Sequence, residues 1–346
     1  MAFGICGAFL LAELSLRMYV SSRGWTSNCY ATGLVFFVPH PTAGYTLRRN
    51  LVLRSSTYDV TTNSLGLRGP EIAKVKPQGV KRIAVLGGSS VFGYLVADGL
   101  DSCAQLERLL RQRLQAPPRI EVLNAGVPGY NMRQSRCRYE TEIAPLKPDI
   151  VLLYLGWNDS KFVIAESPDE LTKSPVAPSW ISRVLSRSAL YGLIRFRLFP
   201  APTPKFAPPE SASTIVTEPG AAGFQQDLQA LIAAIKTSGA QPVICTQVMA
   251  ATQGCSGLDS FLGNTENQIL ANRKIGQWIT QSLRDYAASN NISLIDAAQL
   301  VPCDQSNLGD AIHLTESGHL QVAEVWADCL VPLLNESTSM PDESPK

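Results

Sequence analysis

Arg82-Ile83-Ala84-Val85-Leu86-Gly87-Gly88-Ser89-Ser90-Val91-Phe92-Gly93 joins a short apolar run to a cluster of small residues. The β-branched half, closed by glycine, reads as a buried parallel strand. The small residues allow a sharp turn into a segment that reads as helical. In open α/β sheets, ligands sit just outside the carboxyl ends of the strands. A serine placed there faces substrate and lies close to backbone N–H groups, which is where a nucleophile belongs. The same position also suits a helix cap or a phosphate ligand, so the motif needs a partner elsewhere in the chain.

The same strand–helix alternation runs on to the C-terminus. Ile120–Asn124, Ile150–Leu155, Pro242–Val248 and Ile292–Ile295 read as further strands. Leu100–Leu114, Met132–Ile143, Ala221–Lys236, Glu266–Ser289 and Glu316–Leu333 read as helices. Such alternation implies a five-stranded parallel sheet covered on both faces, a doubly wound α/β domain.

A hydroxyl is a poor nucleophile at neutral pH and needs a base, most often histidine, held by a third group. The chain has three histidines, His40, His313 and His319. His313 lies in Asp310-Ala311-Ile312-His313-Leu314-Thr315, just ahead of a helical pattern, and Asp310 can orient its imidazole. His319, on the face of that helix, reads as structural. Acyl chemistry also needs neutral donors for a developing oxyanion. Two further strand ends supply them: Ala125-Gly126-Val127-Pro128-Gly129-Tyr130-Asn131 and Gly156-Trp157-Asn158-Asp159. The N–H groups of Ser89 and Gly129 with the Asn158 amide would serve. Individually these are ordinary turn residues; in this order they form a set.

With these residues in hand, the chain resembles the SGNH (GDSL-like) hydrolase family over roughly residues 80–333. The four family blocks correspond to Gly87-Gly88-Ser89-Ser90, Gly126-Val127-Pro128-Gly129, Gly156-Trp157-Asn158-Asp159 and Asp310-Ala311-Ile312-His313. The resemblance implies a flavodoxin-like layering, Ser89 as nucleophile, His313 as base and Asp310 as its orienter. It assigns the oxyanion hole to Ser89, Gly129 and Asn158. One departure stands out, since the family's Asp before the serine is Gly88 here. That Asp is not the triad acid, so the chemistry does not require it. Ser90 leaves open which hydroxyl attacks, and alignment with the family favours Ser89.

Composition excludes several function classes. A net charge of +1 gives no electrostatic case for nucleic acid. No metal-ligand spacing and no Gly-rich phosphate fingerprint is present, so no cofactor and no metal are expected. The eight cysteines are scattered. Cys103, Cys245 and Cys329 read as small core hydrophobes, whereas Cys255 and Cys303 lie in loops and can pair in an oxidising compartment.

The flanking segments read separately. Residues 1–22 are apolar up to Ala12 and then carry Glu13 and Arg17, spaced to pair on one helix face. A standard signal peptide fits poorly, and the positive flank favours a cytoplasmic body. Bacterial proteins resembling this chain carry an anchor ahead of an extracytoplasmic domain, so a membrane anchor with a periplasmic enzyme is the expectation. Residues 26–80, with Gly44–Asn50 and Thr62–Gly69 as short hairpin strands, read as a small β-rich collar. The hydrolase domain is then 81–333. Its stretch 160–214 holds eight of the 23 prolines, too many for one regular element. That stretch reads as a lid or binding wall, a basic membrane-surface helix, or a plain excursion. Residues 334–346 read as a disordered tail.

The expected activity is hydrolysis of carboxylic esters through an acyl-enzyme, on short acyl esters of a carbohydrate or envelope polymer. An O-acetyltransferase using the same site, or a non-catalytic envelope binding module, is the alternative.

Overall fold

The computed structural model describes residues 2–26, 36–55, 59–114, 119–164, 179–198, 216–255, 257–263 and 265–336. The chain divides into two units, Met1–Ile72 with Ser174–Lys205, and Ala73–Lys173 with Phe206–Lys346.

In the first unit, helix α1 (Ala2–Ser22) is followed by two small antiparallel pairs. Strand β1 (Phe37–His40) pairs with β2 (Gly44–Leu47), and β3 (Val52–Leu53) with β4 (Val60–Thr61). The expected hairpin strand at 62–69 is reduced to a single antiparallel bridge, Thr62 with Arg68, around a tight turn in which the Asn63 side-chain oxygen accepts the N–H groups of Leu65 and Leu67. His40 closes the β1–β2 turn by accepting the N–H groups of Thr42 and Ala43.

Both charges of α1 are engaged. Glu13 accepts from Ser188 Oγ and from the N–H groups of Ala189 and Leu190, at the start of the short helix Ala189–Gly192. Arg17 pairs with Glu13 at 2.6 Å and donates to the Arg187 carbonyl. The expected spanning anchor over 1–22 is not found. Among the described residues no helix is long and apolar enough to cross a membrane. Glu13 and Arg17 interrupt the apolar run, and central charges are costly in a bilayer. Of the expected insertion, Trp180–Leu185 and Ala189–Gly192 are helical, while 165–178 and 199–215 lie outside the described residues. The expected tail 334–346 begins too early, because the helix Glu316–Glu336 carries through these first residues and buries Leu334; 337–346 lie outside the described residues.

The second unit is the α/β domain. Its parallel sheet consists of β5 (Val80–Gly87), β6 (Arg119–Asn124), β7 (Ile150–Tyr154), β8 (Gln241–Cys245) and β9 (Ser293–Ile295). The strand order is β6-β5-β7-β8-β9. Near-continuous apolar strands form such a sheet because both faces must be covered. Ile83 and Val85, Leu152 and Tyr154, and Val243 and Cys245 belong to one buried cluster with Leu106, Leu110, Trp326 and Leu330. These last four come from helix α3 (Ser102–Arg113) and from Glu316–Glu336. Ala84, Leu86, Val151 and Leu153 on the alternate face are equally buried. Strand β8 ends at Cys245, short of the expected Val248, whose N–H leaves the ladder and donates to the Tyr154 hydroxyl. Cys103 and Cys245 are buried, and Cys255 and Cys303 form a disulfide with Cα atoms 5.4 Å apart.

Register places the site. Val85 lies opposite Asn124, and Gly87 opposite Tyr154. The carboxyl ends of β6, β5 and β7 therefore lie side by side, and their three turns converge on one edge.

Candidate active site

Strand β5 ends at Gly87, and a single helical turn, α2 (Ser89–Phe92), starts at Ser89. Ser89 is half-buried at this edge. The loop before Glu316–Glu336 brings His313 to it across 224 positions of sequence, with Nε2 2.8 Å from Ser89 Oγ. Nδ1 of His313 lies 2.6 Å from Asp310 Oδ2. The other Asp310 oxygen accepts the N–H groups of Ile312 and His313 at 2.9 and 2.8 Å, so one short turn sets both the acid and the ring. Burial pushes the Asp310 carboxyl up, but the bonds from His313 and the two N–H groups outweigh it and hold the group below its usual value. With Nδ1–H donating to the carboxylate, Nε2 is left to accept the serine proton.

Ser90 is committed elsewhere. Its Oγ donates to the Ile312 carbonyl at 2.9 Å and ties the nucleophile turn to the histidine loop. This contact settles which hydroxyl meets the imidazole, a point that Ser89-Ser90 leaves open as sequence.

The two other turns lie beside this row. Gly129 is exposed with φ +85°, in a turn closed by the Tyr130 N–H on the Val127 carbonyl. Asn158 sits in the 3-10 turn Trp157–Asp159, and its Nδ2 donates to the Tyr130 carbonyl at 2.9 Å. The turn is pinned from below, because the Trp157 N–H donates to Gln247 Oε1 at 2.8 Å. Asp159 Oδ1 accepts the Met132 N–H at 3.1 Å. Burial pushes the Asp159 carboxyl up to about 7, against the lowering effect of that N–H.

Ser89, His313, Asp310, Gly129 and Asn158 thus share one sheet edge. The other histidines do not: His319 is buried with Nδ1 accepting the Ser102 N–H, and His40 serves its turn. Tyr94 belongs to none of the four sequence blocks. Its ring packs 5.0 Å from the His313 ring at 47°, and burial, followed by the Asp310 charge, pushes its hydroxyl up. Only its place one turn beyond Ser89 hinted at such a contact.

The family model of the GDSL-like lipase/acylhydrolase family matches residues 85–320. Among solved structures, the chain is similar to a GDSL-like lipase from Bacteroides thetaiotaomicron, at 11% identity and TM-score 0.44, covering 77% of this chain and 93% of that one. It is similar to a catalytic mutant of an acetylxylan esterase from Geobacillus stearothermophilus, at 14% identity and TM-score 0.44, covering 75% and 96%. A lipase/acylhydrolase from Enterococcus faecalis shows 17% identity and TM-score 0.43, covering 73% and 96%. No curated protein matches the chain.

Proposed function

The chain belongs to the GDSL-like lipase/acylhydrolase family, a family of ester-hydrolysing enzymes, and on that premise we propose that Ser89 forms an acyl-enzyme with a carboxylic ester. Ser89 Oγ bonds to the carbonyl carbon as its proton passes to His313 Nε2. Asp310 stabilises the imidazolium. The same proton then leaves on the departing alkoxide, and water repeats the sequence to release the acid and restore Ser89. The N–H groups of Ser89 and Gly129 and the Asn158 amide receive the oxyanion, each donor of this kind contributing ~10²–10³ in rate. The observation behind this reading is the unbroken row from Asp310 through His313 to Ser89, with links of 2.6 and 2.8 Å.

The substrate class we propose, short acyl esters of a carbohydrate or envelope polymer, follows the family resemblance. A location outside the reducing cytoplasm is supported by the Cys255–Cys303 pair. Contact of α1 with a membrane surface is supported by the exposed side chains of Phe9, Leu10, Leu11 and Leu14.

Turnover of p-nitrophenyl acetate and labelling by a fluorophosphonate test the mechanism. Ser89→Ala should lose both, with turnover down by at least ~10³. Ser90→Ala should keep turnover within about tenfold, since it loses one neutral hydrogen bond of roughly 1 kcal/mol. His313→Ala should resemble Ser89→Ala, and Asp310→Asn should leave more residual activity. Wild-type turnover in Ser89→Ala would overturn the assignment.

A further inference from the structure

We infer that Gly88 is a positioning residue of the oxyanion hole: its missing side chain is the space in which the Asn158 amide sits. This inference rests on the oxyanion role proposed above for Asn158. A Cβ built on Gly88 would lie 2.4 Å from Asn158 Nδ2, well inside van der Waals contact. Its other neighbours are tolerable, with the Tyr130 carbonyl oxygen at 3.5 Å and Asn158 Cγ at 3.6 Å. The clash is thus with one nitrogen. Its φ of −91° lies outside the left-handed region that favours glycine, so the short contact with Asn158 is the constraint that the geometry identifies.

The amide cannot easily retreat. Its Nδ2 is held by the Tyr130 carbonyl at 2.9 Å, and the Trp157–Asp159 turn that bears it is anchored at Trp157 N–H and at Asp159 Oδ1. A side chain at 88 would therefore displace the amide from the Tyr130 carbonyl or push apart the two turns. An oxyanion donor acts only within a few tenths of an ångström of its productive position, so either response weakens the transition state and leaves the serine, histidine and aspartate row untouched. Ground-state binding makes little use of this donor, so the loss falls on kcat rather than KM.

The test is a double-mutant cycle with Gly88→Ala and Asn158→Ala, reading kcat and KM on p-nitrophenyl acetate and Tm by circular dichroism. Gly88→Ala alone should lower kcat between about tenfold and ~10³ with KM within about threefold of wild type. In the Asn158→Ala background the same substitution should cost nothing further, because the only clashing atom is gone. If Gly88→Ala folds poorly, Asn158→Ala should restore its Tm for the same reason. Wild-type kcat in Gly88→Ala, or a cost in kcat or Tm undiminished in the double variant, overturns the inference. Wild-type kcat in Asn158→Ala removes the oxyanion role itself and the inference with it, whereas Asn158→Ala impaired with Gly88→Ala unaffected removes the inference alone.

Discussion

Asp159 shows how one carboxylate beside a site can set a pH dependence that the reacting residues do not. It follows Asn158 in sequence, is buried, and has one oxygen bonded to the Met132 N–H while the other has no hydrogen-bond partner. Burial raises its carboxyl to about 7 in the folded protein, against ~3.9 in an unfolded chain. The folded state therefore binds the proton more tightly, so the stability linked to this group is fully present below about pH 4 and is lost as pH rises toward 7. Asp159→Asn keeps an acceptor for Met132 and cannot ionise. Its Tm relative to wild type should rise steadily between about pH 4 and pH 8. A Tm difference that stays flat across that range would show that the carboxyl is not held protonated. Glu13 is the opposite case. Burial raises its carboxyl, yet the Leu190, Ser188 and Ala189 donors and Arg17 bring it down to about 2.

At the scale of elements, the turns of the site are shaped by capping bonds between strand ends and helix starts. Asp101 caps α3 by accepting the N–H groups of Cys103 and Ala104. It also accepts from the Asn124 amide at 3.0 Å, at the end of β6. Asn124 in turn accepts the Gly126 N–H at 3.1 Å, so the cap reaches the turn that leads to Gly129. An ordinary N-cap replaced by alanine costs about 1 kcal/mol. Asp101→Ala also strips a partner from the buried Asn124, so urea unfolding should show a loss of ~2 kcal/mol or more, accompanied by a fall in kcat. A loss no larger than that of an isolated cap, with kcat unchanged, would show the two turns to be uncoupled. None of this linkage is visible in a local pattern, because Asp101 and Asn124 meet only when α3 packs beside β6.

Across the whole α/β unit, the most consequential polar feature lies in the sheet, on strands β5 and β6. Arg82 is fully buried, and its Nε and Nη2 contact Glu121 Oε2 at 3.0 and 2.6 Å. Its remaining donors reach the carbonyls of Leu146 and Ala73 at 2.6 and 3.0 Å. One side chain thus joins two strands, the end of a helical segment and the chain entering the unit. Removing Arg82 leaves the buried Glu121 carboxylate with only the exposed Arg119 at 3.6 Å, so Arg82→Ala should cost about 3 kcal/mol in denaturant unfolding. Replacing both Arg82 and Glu121 by methionine should cost clearly less, since no charge is then left unpaired. An Arg82→Ala cost below ~0.5 kcal/mol, as for an exposed substitution, would contradict this account.

Local chemistry made much of the molecule legible from the residues alone. Apolar runs of strand length, helical periodicity and small residues at the strand ends are properties of short windows, and they mark the five strands, the long helices and the turn at Ser89. Helix Glu266–Ser289 has the same bounds in sequence and structure. Other features depend on which distant groups meet, and no window contains them. Tertiary packing decided the strand order, the approach of His313 to Ser89 across 224 positions, and the commitment of Ser90 to Ile312. It likewise decided the grouping of 174–205 with the N-terminal unit and the use of Glu13 as a cap rather than a solvated charge. The 2.4 Å approach that excludes a side chain at Gly88 belongs here too. The family resemblance marks Gly88 only as a departure, and its closeness to the Asn158 amide appears only in the folded chain.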